Sequence, residues 1–146
     1  MTTPPVTILQ LIPELETGGA ELSCIEVSEA IVAAGGRALV ASAGGRMQER
    51  LALCGGELIK LPMPSKNPFV IIANGWRIAR IVRREKVRLL HARSRAPAWS
   101  ARIAAALTGR PYITTYHGAY NERSALKRWY NRVMVGGAAV IANSQY

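Results

Sequence analysis

Aspartate is missing from this chain of 146 residues, and nine glutamates supply all of its acidic side chains. The absence excludes an EF-hand loop, a Ser/His/Asp triad and the Asp ligands that hold Mg²⁺ in many phosphoryl-transfer sites. Metal ligation through Cys and His would need more than the two cysteines and two histidines present. We therefore expect no metal ion and no cofactor.

Long apolar runs are also missing. No uncharged apolar run reaches the ~18 residues that a membrane-spanning helix needs. The first ten residues, MTTPPVTILQ, carry no positive charge before their apolar stretch, which a secretory signal would have. We therefore expect a cytoplasmic chain, in which Cys24 and Cys54 are a buried, reduced pair.

Positive charge is abundant. Nineteen Lys and Arg residues give a formal net charge of +10, which favours nucleic acid, phosphate or an acidic membrane surface as a partner without choosing among them. The basic segment 77–88 is typical of a solvated helix face. A second basic face places an aromatic ring beside cations, as membrane-interfacial helices do. Its residues are Lys127, Arg128, Trp129 and Arg132.

Short apolar runs alternate with helical patterns along the whole chain. Strands are predicted over 6–12, 39–42, 57–61, 87–91, 112–116 and 139–142. Helices are predicted over 19–34, 47–53, 69–85, 98–107 and 124–135. Asn74 is placed on the face of 69–85 that carries arginines, away from its apolar stripe, and Leu126 and Trp129 are expected to turn inward on 124–135. Apolar strands alternating with helices indicate a parallel sheet covered on both faces. We predict one domain: a doubly wound, Rossmann-like α/β fold with strand order 3-2-1-4-5-6.

Polar residues follow the predicted strands where such folds bind their ligands. His91 and His117 each end a strand, and Gly118 permits a close approach to the backbone. Arg93 and Arg95 follow on the exit loop of the fourth strand, where guanidinium groups suit phosphate or carboxylate. Satisfied edge histidines and solvated loop arginines remain the alternative interpretation.

A glycine pair, Gly18-Gly19, lies between the first strand and the first helix. It lacks the third glycine of a dinucleotide-binding turn, and residues 42–44 (Ser-Ala-Gly) offer no acid for a ribose. No Gly-Lys-Ser/Thr sequence occurs, which excludes a P-loop. An anion at a helix N-terminus, or merely a tight turn, remains.

Four motifs occur in order on these elements: ETGGAE at 16–21, HARS at 91–94, YITTYHG at 112–118 and VIANS at 140–144. Together they resemble the N-terminal domain of family 4 glycosyltransferases, over residues 6–146. The resemblance implies a retaining enzyme of the GT-B fold, in which two Rossmann-like domains enclose the reaction cleft. It also implies a nucleotide-diphosphate sugar as the donor and no metal.

The resemblance further implies roles for individual residues. His117 matches the family histidine that meets the donor sugar, so it is the expected catalytic residue. Gly18, Gly19 and Glu21 form the loop that approaches the donor diphosphate. The expected acceptor or cleft residues are His91, Arg93, Ser94, Arg95, Tyr116, Gly118, Tyr120, Asn143 and Ser144.

The nucleotide-binding C-terminal half of the family, with its Glu-x7-Glu motif, has no counterpart within 1–146. We therefore expect an acceptor-side domain that is inactive alone, self-associates through its exposed cleft face and serves a lipid-linked or polysaccharide acceptor of the cell envelope. The inner face of the plasma membrane is the expected place of action. A basic nucleic-acid-binding or peripheral membrane-binding module is the alternative, although no nucleic-acid motif is present.

Overall fold

The chain alternates strand and helix throughout the part that the structure describes. This computed structural model describes residues 5–116 and 124–142, with positions 116 and 142 described by their backbone alone. The strands are β1 (Thr7–Leu11), β2 (Arg37–Ser42), β3 (Glu57–Lys60), β4 (Leu89–Ala92), β5 (Tyr112–Tyr116) and β6 (Ala139–Ala142). The helices are α1 (Gly19–Ala33), α2 (Gln48–Leu53), α3 (Pro68–Glu85), α4 (Arg95–Thr108) and α5 (Ala125–Asn131), and a 3₁₀ turn follows at Arg132–Met134.

All six strands are parallel and lie in the order β3-β2-β1-β4-β5-β6. The predicted doubly wound, Rossmann-like fold is therefore confirmed. Leu9 of β1 pairs with Leu39 of β2 on one side and with Leu90 of β4 on the other. Between β1 and β4 the strand order reverses, and folds of this kind open a crevice there.

Each face of the sheet has its own apolar core. Leu39 and Ala41 of β2 face a core formed with α3 and α4, whereas Val40 faces a smaller core under α1 and α2. Successive residues of a strand point to opposite faces, so a strand with both faces covered is apolar at most of its positions. α1 and α2 thus cover one face, and α3, α4 and the 3₁₀ turn cover the other.

The starts and ends of α3 and α4 follow from capping residues. Asn67 Oδ1 accepts from the backbone N–H of Phe69 (2.9 Å), and Pro68 takes the first helical position of α3. Gly109 ends α4 in the left-handed region (φ 73°). α4 begins at Arg95, three residues before the predicted start, because Pro97 is tolerated within the first helical turn.

Two expectations about helix faces are wrong. The helix predicted over 124–135 splits into α5 and the 3₁₀ turn, and Leu126 and Trp129 are 73% and 54% exposed rather than turned inward. Asn74, assigned to a polar face of α3, is buried and donates to the carbonyl oxygen of Pro62 (3.2 Å). Cys24 is buried as expected, but Cys54 is half-buried; both are free thiols.

Close packing of α3 on α4 depends on Gly75. A Cβ placed on this glycine would lie 2.6 Å from Ile103 Cγ2 and 2.8 Å from Ile103 Cβ. Because the second atom is next to the backbone of α4, the two helices would have to separate. A side chain at this position therefore overpacks the helix interface.

We predict that Gly75→Ala lowers the free energy of unfolding by about 1–3 kcal/mol, the usual cost of overpacking. Gly19→Ala is the matched control, because none of the described atoms lies within 4 Å of its added Cβ and the residue is exposed. Urea unfolding of both variants measures the difference. A Gly75→Ala variant as stable as Gly19→Ala would contradict the packing argument.

Candidate functional site

The site lies at the carboxyl edge of the sheet, where the loops after β1, β2 and β4 meet. Backbone hydrogen bonds continue past the strands: the N–H of Ala43 donates to the carbonyl of Pro13 (3.0 Å), and that of Arg93 donates to the carbonyl of Leu11 (2.9 Å). These bonds hold the three loops beside one another. The starts of α1 and α4 are thereby brought to the same edge.

The glycine pair opens this edge at the start of α1. Gly18 precedes the helix, Gly19 is its first residue, and both are exposed. No atom of residues 5–116 or 124–142 lies within 4 Å of a Cβ built on Gly19, whereas a Cβ on Gly18 would meet the carboxylate of Glu21. No side chain in the described part of the chain caps the helix by a hydrogen bond. The first N–H groups of α1 can therefore receive an anion, although the carboxylate of Glu21 lies close to Gly18.

Behind this opening, a buried guanidinium joins the first strand to the first helix. Arg93 is 3% exposed, and its Nε and Nη2 donate to Gln10 Oε1 (3.0 and 2.7 Å). Its Nη1 donates to Ser23 Oγ of α1 (3.1 Å). Gln10 Nε2 in turn donates to Ser28 Oγ (2.9 Å) and to the carbonyl oxygen of Cys24 (3.2 Å). The fork of Arg93 is thus bound to the protein, contrary to the expectation that it is presented on an exit loop.

Burial changes the acidities of this network. The side-chain partners to which Arg93 donates, Gln10 and Ser23, are neutral, and burial lowers the pKa of its guanidinium from the ordinary value. Burial also raises the pKa of the Cys24 thiol to about 11, although the nearby Arg93 opposes the shift. Cys24 is therefore a protonated thiol at neutral pH, and among the described residues the buried Arg93 cation is held by neutral polar side chains.

His91 is also bound within the sheet. The side chain is buried at the end of β4, and its Nε2 lies 2.5 Å from Thr115 Oγ1 of β5. The tautomer decides which of the two atoms donates. This hydrogen bond joins β4 to β5 and gives His91 a structural role at the carboxyl edge.

Ser94 and Arg95 begin α4 instead of forming a free loop. The carbonyl of half-buried Ser94 accepts the N–H of Ala98 (2.8 Å). Arg95 Nη1 donates to Asn131 Oδ1 (2.9 Å), and its guanidinium lies 5.3 Å from the ring centroid of Tyr130. Arg95 thereby joins α4 to α5, a contact that an exit-loop arginine would not make.

Residues 17–146 match the family model described as Glycosyltransferase Family 4. The chain belongs to this family. The match covers most of the chain, and it includes the glycine pair, the residues that follow β4 and the last strand. The family resemblance of the sequence motifs is therefore confirmed.

Solved structures give the same result for the fold. A glycosyltransferase from Rickettsia africae ESF-5 is 39% identical, with a TM-score of 0.83 over 97% of this chain and 38% of its own. Anabaena Alr3699/HepE in complex with UDP-glucose is 20% identical (TM-score 0.73; 95% of this chain, 38% of its own). Acinetobacter baumannii MurG is 17% identical (TM-score 0.69; 94% of this chain, 41% of its own). The family 4 chain thus spans about two fifths of the length of the solved structures it matches, and no curated protein matches it.

Several expected site residues of this family 4 chain lie outside the described residues, and their roles stay predictions. They are His117, Gly118, Tyr120, Asn143 and Ser144. The backbone of Tyr116 ends β5 and pairs with Ala142 of β6. The predicted basic face (Lys127, Arg128, Trp129, Arg132) is exposed on α5 and the 3₁₀ turn.

The sequence reasoning missed Gln10, Ser23 and Ser28, the polar partners beneath α1. One signal was present in the sequence, because Gln10 is a polar residue within an apolar strand; the structure shows that it is buried.

No helix in the described part of the chain is both long and apolar enough to cross a membrane. Within the same residues, no three His, Cys, Asp or Glu side chains form a cluster suited to a metal ion.

We predict that Arg93→Met lowers the free energy of unfolding by about 1–3 kcal/mol, because Gln10 Oε1 is left buried without a donor. Adding Gln10→Met recovers part of this loss, since replacing both partners by apolar groups removes the unsatisfied oxygen. Arg110→Met, at an exposed arginine, is the control in the same urea titrations. Equal stability of the Arg93→Met and Arg110→Met variants would contradict the assigned role.

Proposed function

We propose that this chain is the acceptor-side domain of a retaining, metal-independent glycosyltransferase of the hexosyltransferase type. The enzyme transfers a sugar from a nucleotide-diphosphate sugar to a lipid-linked or polysaccharide acceptor of the cell envelope. The observation that carries the proposal is the open start of α1. There, a family 4 domain offers backbone N–H groups at Gly19, whose Cβ position has no described atom within 4 Å.

A second domain would hold the nucleotide. The crevice between β1 and β4 is where a Rossmann-like domain receives its own nucleotide. Here Arg93, Gln10 and Ser23 fill the space between β1, the loop after β4 and α1. A donor diphosphate would therefore approach Gly19 from the opposite side of a cleft, held mainly by groups outside residues 1–146.

The chain alone would bind acceptor but would not turn over donor. Its place of action is the cytoplasm, at the inner face of the plasma membrane, where lipid-linked acceptors are accessible. Without its second domain, the cleft face is exposed, which favours self-association. Nucleic acid is the weaker candidate partner, because the chain shows net charge but no nucleic-acid recognition motif.

The first test is Gly19→Val in the complete enzyme. The branched side chain stands in the path of the diphosphate, so KM for the nucleotide sugar should rise about tenfold, equal to ~1.4 kcal/mol of lost binding. Gly19→Ala should lie between wild type and Gly19→Val. The 146-residue chain serves as the inactive control. The proposal would be contradicted if this chain turned over any nucleotide sugar, or if Gly19→Val left KM unchanged.

The second test concerns His117, whose role is inferred from the family. His117→Ala should lower kcat about 100-fold, the scale for loss of one preorganised polar contact to a transition state. His117→Gln retains a donor and should recover part of the activity. Circular dichroism checks that both variants keep their fold. Activity near the wild-type level in His117→Ala would show that this histidine does not contact the donor sugar.

A further inference from the structure

A strip of large apolar side chains is exposed along α3. Phe69 is 82% exposed and Trp76 is 56% exposed, and Ile72 lies between them. Their spacing of three and four residues puts them on one face of the helix. On α5, Leu126 and Trp129 are exposed as well. Soluble proteins seldom expose so many large apolar groups together unless the surface binds something.

Between these two helices runs an apolar groove of about 600 Å³. The groove floor includes Trp99 of α4, whose ring centroid lies 4.7 Å from that of Trp129 and whose Nε1 donates to the carbonyl of Tyr130 (3.0 Å). Ile71 and Ile72 form the opposite wall. The lining also includes Pro68 and Arg95, the first residues of α3 and α4, so one end of the groove lies toward the carboxyl edge of the sheet.

Positive charge surrounds this groove and is concentrated on its side of the molecule. Lys66 and Lys127 line the groove, and neither forms an ion pair among the described residues. α3, α4, α5 and the 3₁₀ turn carry nine Lys or Arg residues and one Glu, whereas α1 and α2 carry one Arg and four Glu. The two faces of the sheet thus differ in the sign of their charge.

We propose that the face formed by α3, α4 and α5 docks on an anionic lipid bilayer. The side chains of Phe69, Trp76 and Leu126 enter the headgroup boundary, and the groove takes one acyl chain of an anionic lipid whose phosphate meets Lys66 and Lys127. The docking gives the proposed transferase access to lipid-linked acceptors, and in that respect it rests on the proposed function. The predicted basic face of α5 is one part of this larger surface.

The surface combines positive charge with exposed apolar side chains, and this combination favours an anionic bilayer over nucleic acid or soluble phosphate as the partner. A nucleic acid or a soluble phosphate would need the cations alone and would leave Leu126 and Phe69 in water. Interfacial membrane binding uses both, because its strength scales with buried apolar area and with attraction to anionic headgroups. Each basic side chain near such a surface contributes about a fivefold gain in partitioning.

The experiment is co-sedimentation of the 146-residue chain with two kinds of vesicle. One kind is phosphatidylcholine alone, and the other is equal parts of phosphatidylcholine and phosphatidylglycerol. We expect binding to the anionic vesicles that weakens as salt is added. Lys66→Gln with Lys127→Gln should lower the partition coefficient about 25-fold, and Leu126→Ser should lower it about tenfold.

Matched controls lie on the opposite face of the sheet. Leu53 of α2 is 85% exposed, so Leu53→Ser removes an apolar group as accessible as Leu126. Arg46→Gln with Arg50→Gln removes two exposed charges near α2. Both controls should bind anionic vesicles as wild type does. Equal losses from the two faces, or equal binding to both vesicle types, would overturn the proposal.

Other occupants give different results. A second copy of the chain would appear as a dimer in analytical ultracentrifugation that Leu126→Ser abolishes, with no vesicle binding. A phosphate-binding face would bind duplex or single-stranded DNA in competition with vesicles, and Leu126→Ser would leave this binding unchanged. Either outcome overturns docking. Because the readout is binding, a failure of glycosyl transfer in the complete enzyme would leave this result unaffected.

Discussion

The buried guanidinium of Arg93 is the contact on which the carboxyl edge depends. It comes from the loop after β4, receives its main acceptor from β1 and reaches Ser23 of α1. These three segments meet where the strand order reverses, so their relative position decides whether a crevice opens. Within the part of the chain that the structure describes, no carboxylate bonds to this buried cation. Such a cation is costly unless several well-placed dipoles surround it. The geometry of Gln10 and α1 is therefore tightly constrained.

That constraint explains the form of the candidate site. A dinucleotide-binding domain keeps the space beside the first strand empty for its own ligand, and here side chains fill it. What remains for a ligand is the surface above, where Gly19 presents backbone without a side chain. Such a surface can be approached but encloses nothing by itself. It suits the proposed approach of a donor group held by a second domain.

The sequence was sufficient to predict the parallel sheet, because apolar runs separated by amphipathic segments are compatible with few other folds. It was insufficient wherever a side chain's partner came from a distant segment. The sequence indicated a loop arginine at position 93, because no neighbouring residue shows that the side chain would bond to Gln10, 83 residues away. Leu126 and Trp129 follow a helical period, and that period identifies the apolar side of a helix. It does not say whether another element covers that side, and here none among the described residues does.

The same uncovered side distinguishes the two faces of the sheet. The face under α1 and α2 is closed by a small core and carries an excess of Glu on its helices. The opposite face combines the larger core with cations and exposed rings. An asymmetry of this kind orients a protein before contact, since its positive face is drawn toward a negative surface. The groove includes residues from the first turn of α3 and the start of α4, which lie at the same edge of the sheet as the start of α1. A bilayer bound there would bring a lipid-anchored acceptor to the edge where the proposed cleft lies.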